Sequence, residues 1–141
     1  MSRLPALLLS SVLLLGCGGA PDVARGVVNS GRVVLVETDV LVAAEYRRAA
    51  EQALEDSESL AAYRTTMEPY DDVEAGLRAS REALDTLAAL VDVWDELAAD
   101  EFGEALASAL DAFEGLLAVL RIAGVEPPDS LYSFLSTPRS L

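Results

Sequence analysis

Cys17 is the only thiol in this chain of 141 residues, which contains no histidine and no lysine. A lone thiol can be alkylated, acylated or coordinated to a metal, but it has no partner for an internal disulfide. The absent residues remove several chemistries. Without histidine there is no Ser-His-Asp or Cys-His arrangement, and the Glu-x-x-His motif of di-iron bundles cannot be built. Without lysine there is no Ser-Lys dyad and no Schiff base. What remains is carboxylate chemistry. Asp92, Asp95, Glu96, Asp100, Glu101 and Glu104 crowd one stretch, and clustered carboxylates bind hard cations such as calcium. The alternating ligands and turn glycine of a calcium loop are missing, so a solvated acidic face is the expected reading. Paired carboxylates also serve acid–base chemistry, as in glycoside hydrolysis, where a cleft must hold one of them protonated. A narrow helical body offers little cleft. The expectation is therefore no catalytic residue, no cofactor and no metal, which leaves Cys17 as the one assigned site.

The residues that position Cys17 are upstream. Arg3 is followed by an apolar stretch from Leu4 to Leu9, which resumes at Val12–Leu15 after Ser10-Ser11. A basic start, about a dozen apolar residues and a small residue before a cut make a secretory signal. The run is shorter than the roughly 20 apolar residues that span a bilayer. Leu14-Leu15-Gly16-Cys17 resembles the lipobox of bacterial lipoproteins; Leu14 and Gly16 match the pattern well, and Leu15 is less typical than Ala or Ser. The resemblance covers residues 1–17. It implies cleavage after Gly16, a diacylglyceryl group on the sulfur of Cys17, and usually a further acyl chain such as palmitate on the new amino terminus. Multiple chains suit stable membrane anchoring, for which one chain is marginal. Once acylated, Cys17 supplies no soft ligand to zinc. Gly18 is not the aspartate associated with inner-membrane retention, so the expected location is the periplasmic face of the outer membrane. The ending Pro138-Arg139-Ser140-Leu141 lacks the C-terminal lysine of lipoproteins that attach to peptidoglycan.

Beyond residue 16 the body carries all 24 acidic residues against nine arginines, a formal charge of −15. Such a surface disfavours nucleic acid, whose phosphates need a basic face, and it repels anionic lipid headgroups. The charge suits solubility of an alanine-rich helical protein. The 52% apolar content argues against disorder.

Four domain segments follow: a signal at 1–16, a lipidated tether at 17–21, a helical bundle at 22–124 and a tail at 125–141. In the first bundle segment, 23–54, the doublets Val27-Val28, Val34-Leu35 and Leu41-Val42 recur every seven residues. The small residues Ala24, Gly31 and Thr38 fall between them at the same spacing, a strip where a neighbour can approach. Val33-Val34-Leu35-Val36 after Asn29-Ser30-Gly31 supports a competing strand. Residues 32–37 thus stay open, with the recurrence favouring helix. Ser57 is a plausible N-cap for a short helix over 59–66. Pro69 then marks a boundary in the first turn of a helix over 70–99.

That helix has the clearest seam: Val73, Leu77, Ser80, Leu84, Leu87, Val91, Trp94 and Ala98, spaced alternately four and three apart. Trp94 reads as a core anchor rather than a ligand contact. Tyr63, Met67 and Tyr70 read as packing over a bundle end. Asp100 can cap a third helix, 101–123, with a seam of Phe102, Leu106, Leu110, Phe113, Leu117 and Leu120. Gly124 suits a left-handed C-cap and Pro127-Pro128 prevents continuation. Arg47 with Glu51, Arg78 with Glu74 and Arg81 with Asp85 are at helical pair spacing. In the tail, Leu131, Tyr132, Phe134 and Leu135 suggest a short helix at 129–135, which either docks on the bundle end, the favoured reading, or forms a small exposed contact site.

The expected fold is all-α: an elongated antiparallel three-helix bundle. The expected role is that of a non-enzymatic, lipid-anchored envelope lipoprotein with a structural or protein-interaction function. One rival is a periplasmic small-molecule-binding bundle, with Thr38, Ser80 and Glu45 as polar groups on apolar seams. Another is an inhibitor or coupling protein acting through an exposed helix face, self-association included.

Overall fold

The computed structural model describes residues 19–94 and 96–139, without the side chains of 96–98. Cys17 and the signal lie outside the described residues. Among those described, the chain forms helices α1 (Ala20–Asp56), α2 (Leu60–Asp92), α3 (Glu96–Ile122) and α4 (Asp129–Leu135), and no strand. At 1.5 Å per residue the first three are roughly 55, 50 and 40 Å long. Residues 32–37 are helical. The β-branched run does not make a strand: Val28, Gly31, Val34, Leu35 and Thr38, at helical spacing, are the residues that are buried, and a strand would point Val34 and Leu35 to opposite faces.

Several boundaries differ from those the sequence suggests. α1 opens at Ala20 with Gly19 as N-cap and Pro21 in the first turn, so Ala20 and Pro21, expected in the tether, belong to the helix. Ser57 closes α1 instead of opening a helix, and its amide donates to the Ala53 carbonyl at 2.9 Å. Ser59 is the N-cap of α2; its hydroxyl accepts from the Ala62 amide at 3.1 Å. Pro69 lies inside α2 and does not begin it. Proline in a helix interior costs ~3 kcal/mol in lost hydrogen bonding and crowding. Here Met67 and Val73, one on each side of it, are both buried, and their burial holds the helix continuous. Thr65, Thr66 and Glu68 before Pro69 are exposed, and the hydroxyls of Thr65 and Thr66 each donate to the carbonyl four residues back. α2 ends at Asp92 and α3 begins at Glu96, so Asp100 is inside a helix and caps nothing.

α2 is central. Along α1 its partners descend in number as α1 ascends: Gly31 lies against Leu84, Asp39 pairs with Arg81 at 2.9 Å, and Tyr46 meets Tyr70 edge-on at 5.4 Å. On the other side Gly76 lies against Leu116 and Val119, and Trp94 packs on Phe102 with centroids 5.3 Å apart. α1 and α3 make no close backbone approach among the described residues. α4 fills the trough between them. Phe134 packs on Phe113 at 4.6 Å and against Gly31, and Leu131 is fully buried. The tail therefore docks as a side wall of the core, not over its end. It is tied further by Arg139, which donates to Asp111 at 2.8 Å and to Glu114 at 3.0 Å.

The heptad seam of α2 is buried from Val73 to Val91, Ser80 included. Trp94, expected on the same helix, is half-buried in the connection after it. In α3 the buried residue of the Leu116-Leu117 pair is Leu116; Leu117 is only partly covered. The reason is the close approach at Gly76, which admits Leu116 beneath α2. Gly124, at φ +74°, ends the α3 segment in the left-handed conformation expected for it.

Candidate functional site

Cys17 is three residues before the first residue of α1. At about 3.5 Å per extended residue, Ala20 lies within roughly 10 Å of the sulfur-bearing residue. Near the start of α1, its Arg25, Asn29 and Arg32 border a shallow recess with Ala88 and Asp92 of α2. Asp92, Asp100, Glu101 and Glu104 belong to the same end of the molecule and are exposed to solvent. Among the described residues, no group of three or more histidine, cysteine, aspartate or glutamate side chains is placed to hold a metal ion. No described helix is long and apolar enough to cross a membrane.

The opposite end is built differently. Gly76 of α2 faces Leu116 and Val119, so about one turn of α3 remains beyond that level, while α2 runs back another 16 residues to Leu60. The pair of α1 and α2 therefore extends beyond α3 by roughly 15 Å. At its base is an open groove of about 670 Å³, with Val42, Tyr46, Tyr70 and Leu77 among its apolar lining and Asp39, Glu51, Asp71 and Glu74 among its acidic lining. Burial pushes the Tyr70 phenol above its ordinary pKa of 10.0; the Glu45 charge adds to the rise and Arg48 opposes it. Tyr63 is half-buried and Met67 is buried on the same overhang.

The three polar candidates on the seams separate. Thr38 and Ser80 are wholly buried, and neither hydroxyl has a hydrogen-bond partner among the described residues. Their chain neighbours Asp39 and Arg81 are the two halves of an ion pair between α1 and α2. Neither lines the overhang groove. Glu45 is only partly covered and pairs with Arg48 at 3.1 Å.

Of the helical ion pairs suggested by spacing, Arg78 with Glu74 is present at 3.4 Å. Arg81 reaches Asp39 on α1 in place of Asp85, a choice that depends on which helix is adjacent. Arg47 forms no ion pair among the described residues. The doublet pattern of α1 also conceals an outer face. Val33, Val36 and Val40 are 52%, 63% and 66% exposed, opposite the strip of Ala24, Gly31 and Thr38. Their 3-4 spacing is the signal that marks a second stripe. Comparison with protein-family models, curated proteins and solved structures finds no match to this chain.

Proposed function

We propose that this chain is a lipid-anchored envelope lipoprotein, exported by residues 1–16 and acylated on Cys17. Its body acts as a structural or protein-interaction element with no catalysis of its own, at the periplasmic face of the outer membrane. The observation that carries this reading is Leu14-Leu15-Gly16-Cys17 at the end of a basic-then-apolar leader, with the sole thiol of the chain at the modification position. The opening of α1 at Ala20 supports a rigid body held next to its anchor. The body we infer is an elongated antiparallel three-helix bundle; the descending order of α2 partners along α1 supports that orientation. Its acidic surface is unsuited to holding anionic lipid by charge, which leaves attachment to the acyl chains.

Cys17→Ala, or globomycin treatment of cells making the wild-type chain, is expected to abolish maturation and membrane fractionation of the mature form. Mass spectrometry of the purified native protein is expected to show a diacylglyceryl adduct on Cys17. An unmodified sulfur in the mature protein defeats the reading.

A second reading, a bundle that binds a small molecule between α1 and α2, draws on the two buried hydroxyls of Thr38 and Ser80. It requires the helices to part at that level. A rise in melting temperature with a metabolite, lost in Thr38→Val, supports it; a panel that gives no rise counts against it.

A further inference from the structure

We propose that the outer face of α1 pairs two copies of this chain, side by side, in parallel and in register. Val33, Val36 and Val40 are each more than half exposed, and Ala43 is exposed beyond them. With Gly26 and Asn29 before them, these residues fall at alternating three- and four-residue steps, the seam of a two-stranded coiled coil. Six successive positions carry no charge, in a body whose acidic residues exceed its arginines by fifteen. Two such molecules repel wherever their surfaces are acidic, and this stripe is a place where they can meet without that cost.

The flanks supply complementary charge. Gly26, Val33 and Val40 occupy one class of seam position, and Asn29, Val36 and Ala43 the other. Arg32 and Glu37 then stand at the edge positions that face each other between parallel helices in register. Both are exposed. Among the described residues Arg32 has no ion-pair partner, and the Glu37 carboxylate accepts from the Ser130 hydroxyl alone. A dimer with a two-fold axis along the seam makes the Arg32–Glu37 pair twice. The next position of the first class is Arg47, where two like charges would meet, so the uncharged contact stops after about five turns of α1. So short a contact is weak between free molecules and strengthened when both copies are confined to one surface. The parallel orientation rests on the lipid-anchor reading: both chains must enter the same leaflet, and antiparallel pairing puts the starts of the two α1 helices at opposite ends of the dimer.

The test is oxidative crosslinking of the full chain in its native membrane. Val36→Cys is expected to give a disulfide-linked dimer of twice the chain mass, while Ala89→Cys, on the exposed face of α2, gives none. Adding Arg32→Glu is expected to remove the dimer and further adding Glu37→Arg to restore it, a rescue that simple loss of folding does not produce. The proposal is overturned if Val36→Cys crosslinks no more than Ala89→Cys, if the product contains a different protein, or if Val36→Cys links only to Val40→Cys on a second chain, which marks antiparallel pairing. Wild-type chain run alongside separates the two ideas. A dimer through Cys17 itself means a free thiol and defeats the anchor; the crosslink is then read in a Cys17→Ser background, where the seam stands or falls separately.

Discussion

Gly26 and Gly31 are five residues apart on α1 and meet opposite surroundings. A Cβ at Gly26 has nothing within 4 Å, whereas one at Gly31 would lie 2.6 Å from Leu84 Cδ1 and 3.2 Å from Phe134 Cε2. Glycine inside a helix costs about 0.5–1 kcal/mol relative to alanine, so Gly26→Ala is expected to raise stability by about that amount. At Gly31 the same gain is opposed by overpacking, typically 1–3 kcal/mol, because Leu84 is itself enclosed at 2% exposure. Gly31→Ala is therefore expected to lower stability by about 1 kcal/mol. Urea titrations of the two variants check this, and a destabilised Gly26→Ala or a stabilised Gly31→Ala contradicts it. The small strip of Ala24, Gly31 and Thr38 was legible from spacing alone, since a seven-residue recurrence returns to nearly the same helix face. That Phe134, from a segment a hundred residues away, would share the space above Gly31 with Leu84 was not. Nor does sequence reveal that the Thr38 and Ser80 hydroxyls would lack partners, which depends on what stands opposite each.

Helix boundaries are where local preference and tertiary burial disagree. Pro69 reads as a start because proline fits a first turn, yet α2 begins at Leu60 and passes through it. The helix continues through Pro69 because Met67 and Val73, one on each side of it, are both buried. Replacing Pro69 by alanine restores one backbone donor and relieves its clash, and is expected to stabilise the protein by up to ~3 kcal/mol. Thermal unfolding of Pro69→Ala checks the sign. A lower melting temperature means that a bend at this proline is needed for the overhang to close, and that the continuity of α2 has another cause. Ser57 and Ser59 show the same ambiguity at smaller scale: both are good caps by type, and the position of the turn gives the role to Ser59. In contrast, Gly124 and the following prolines fixed the end of the α3 segment from sequence, because no competing apolar register continues past them. The 129–135 helix was also legible, with its apolar residues bounded by polar ones.

At the scale of the molecule, charge opposes compactness. The formal net charge is −14 for the whole chain, and the six ion pairs among the described residues are exposed to solvent or nearly so, where each contributes little. Self-repulsion then dominates the response to salt. Raising sodium chloride from about 0.01 to about 0.5 M, which shortens the screening length several-fold, is expected to raise the melting temperature. A fall would mean that the ion pairs, Arg81–Asp39 and the Arg139 pair of contacts above all, outweigh the repulsion. The sequence by itself determined the helical class, the seam of α2, the acidic character and the candidate modification at Cys17, because each rests on residue type, periodicity or net charge. Only the tertiary structure decided that α2 is the central helix, that α4 closes the trough between α1 and α3, and that one valine stripe of α1 faces outward. Those outcomes depend on which of several apolar faces find each other, and a residue's periodicity states that it has a face without stating what covers it.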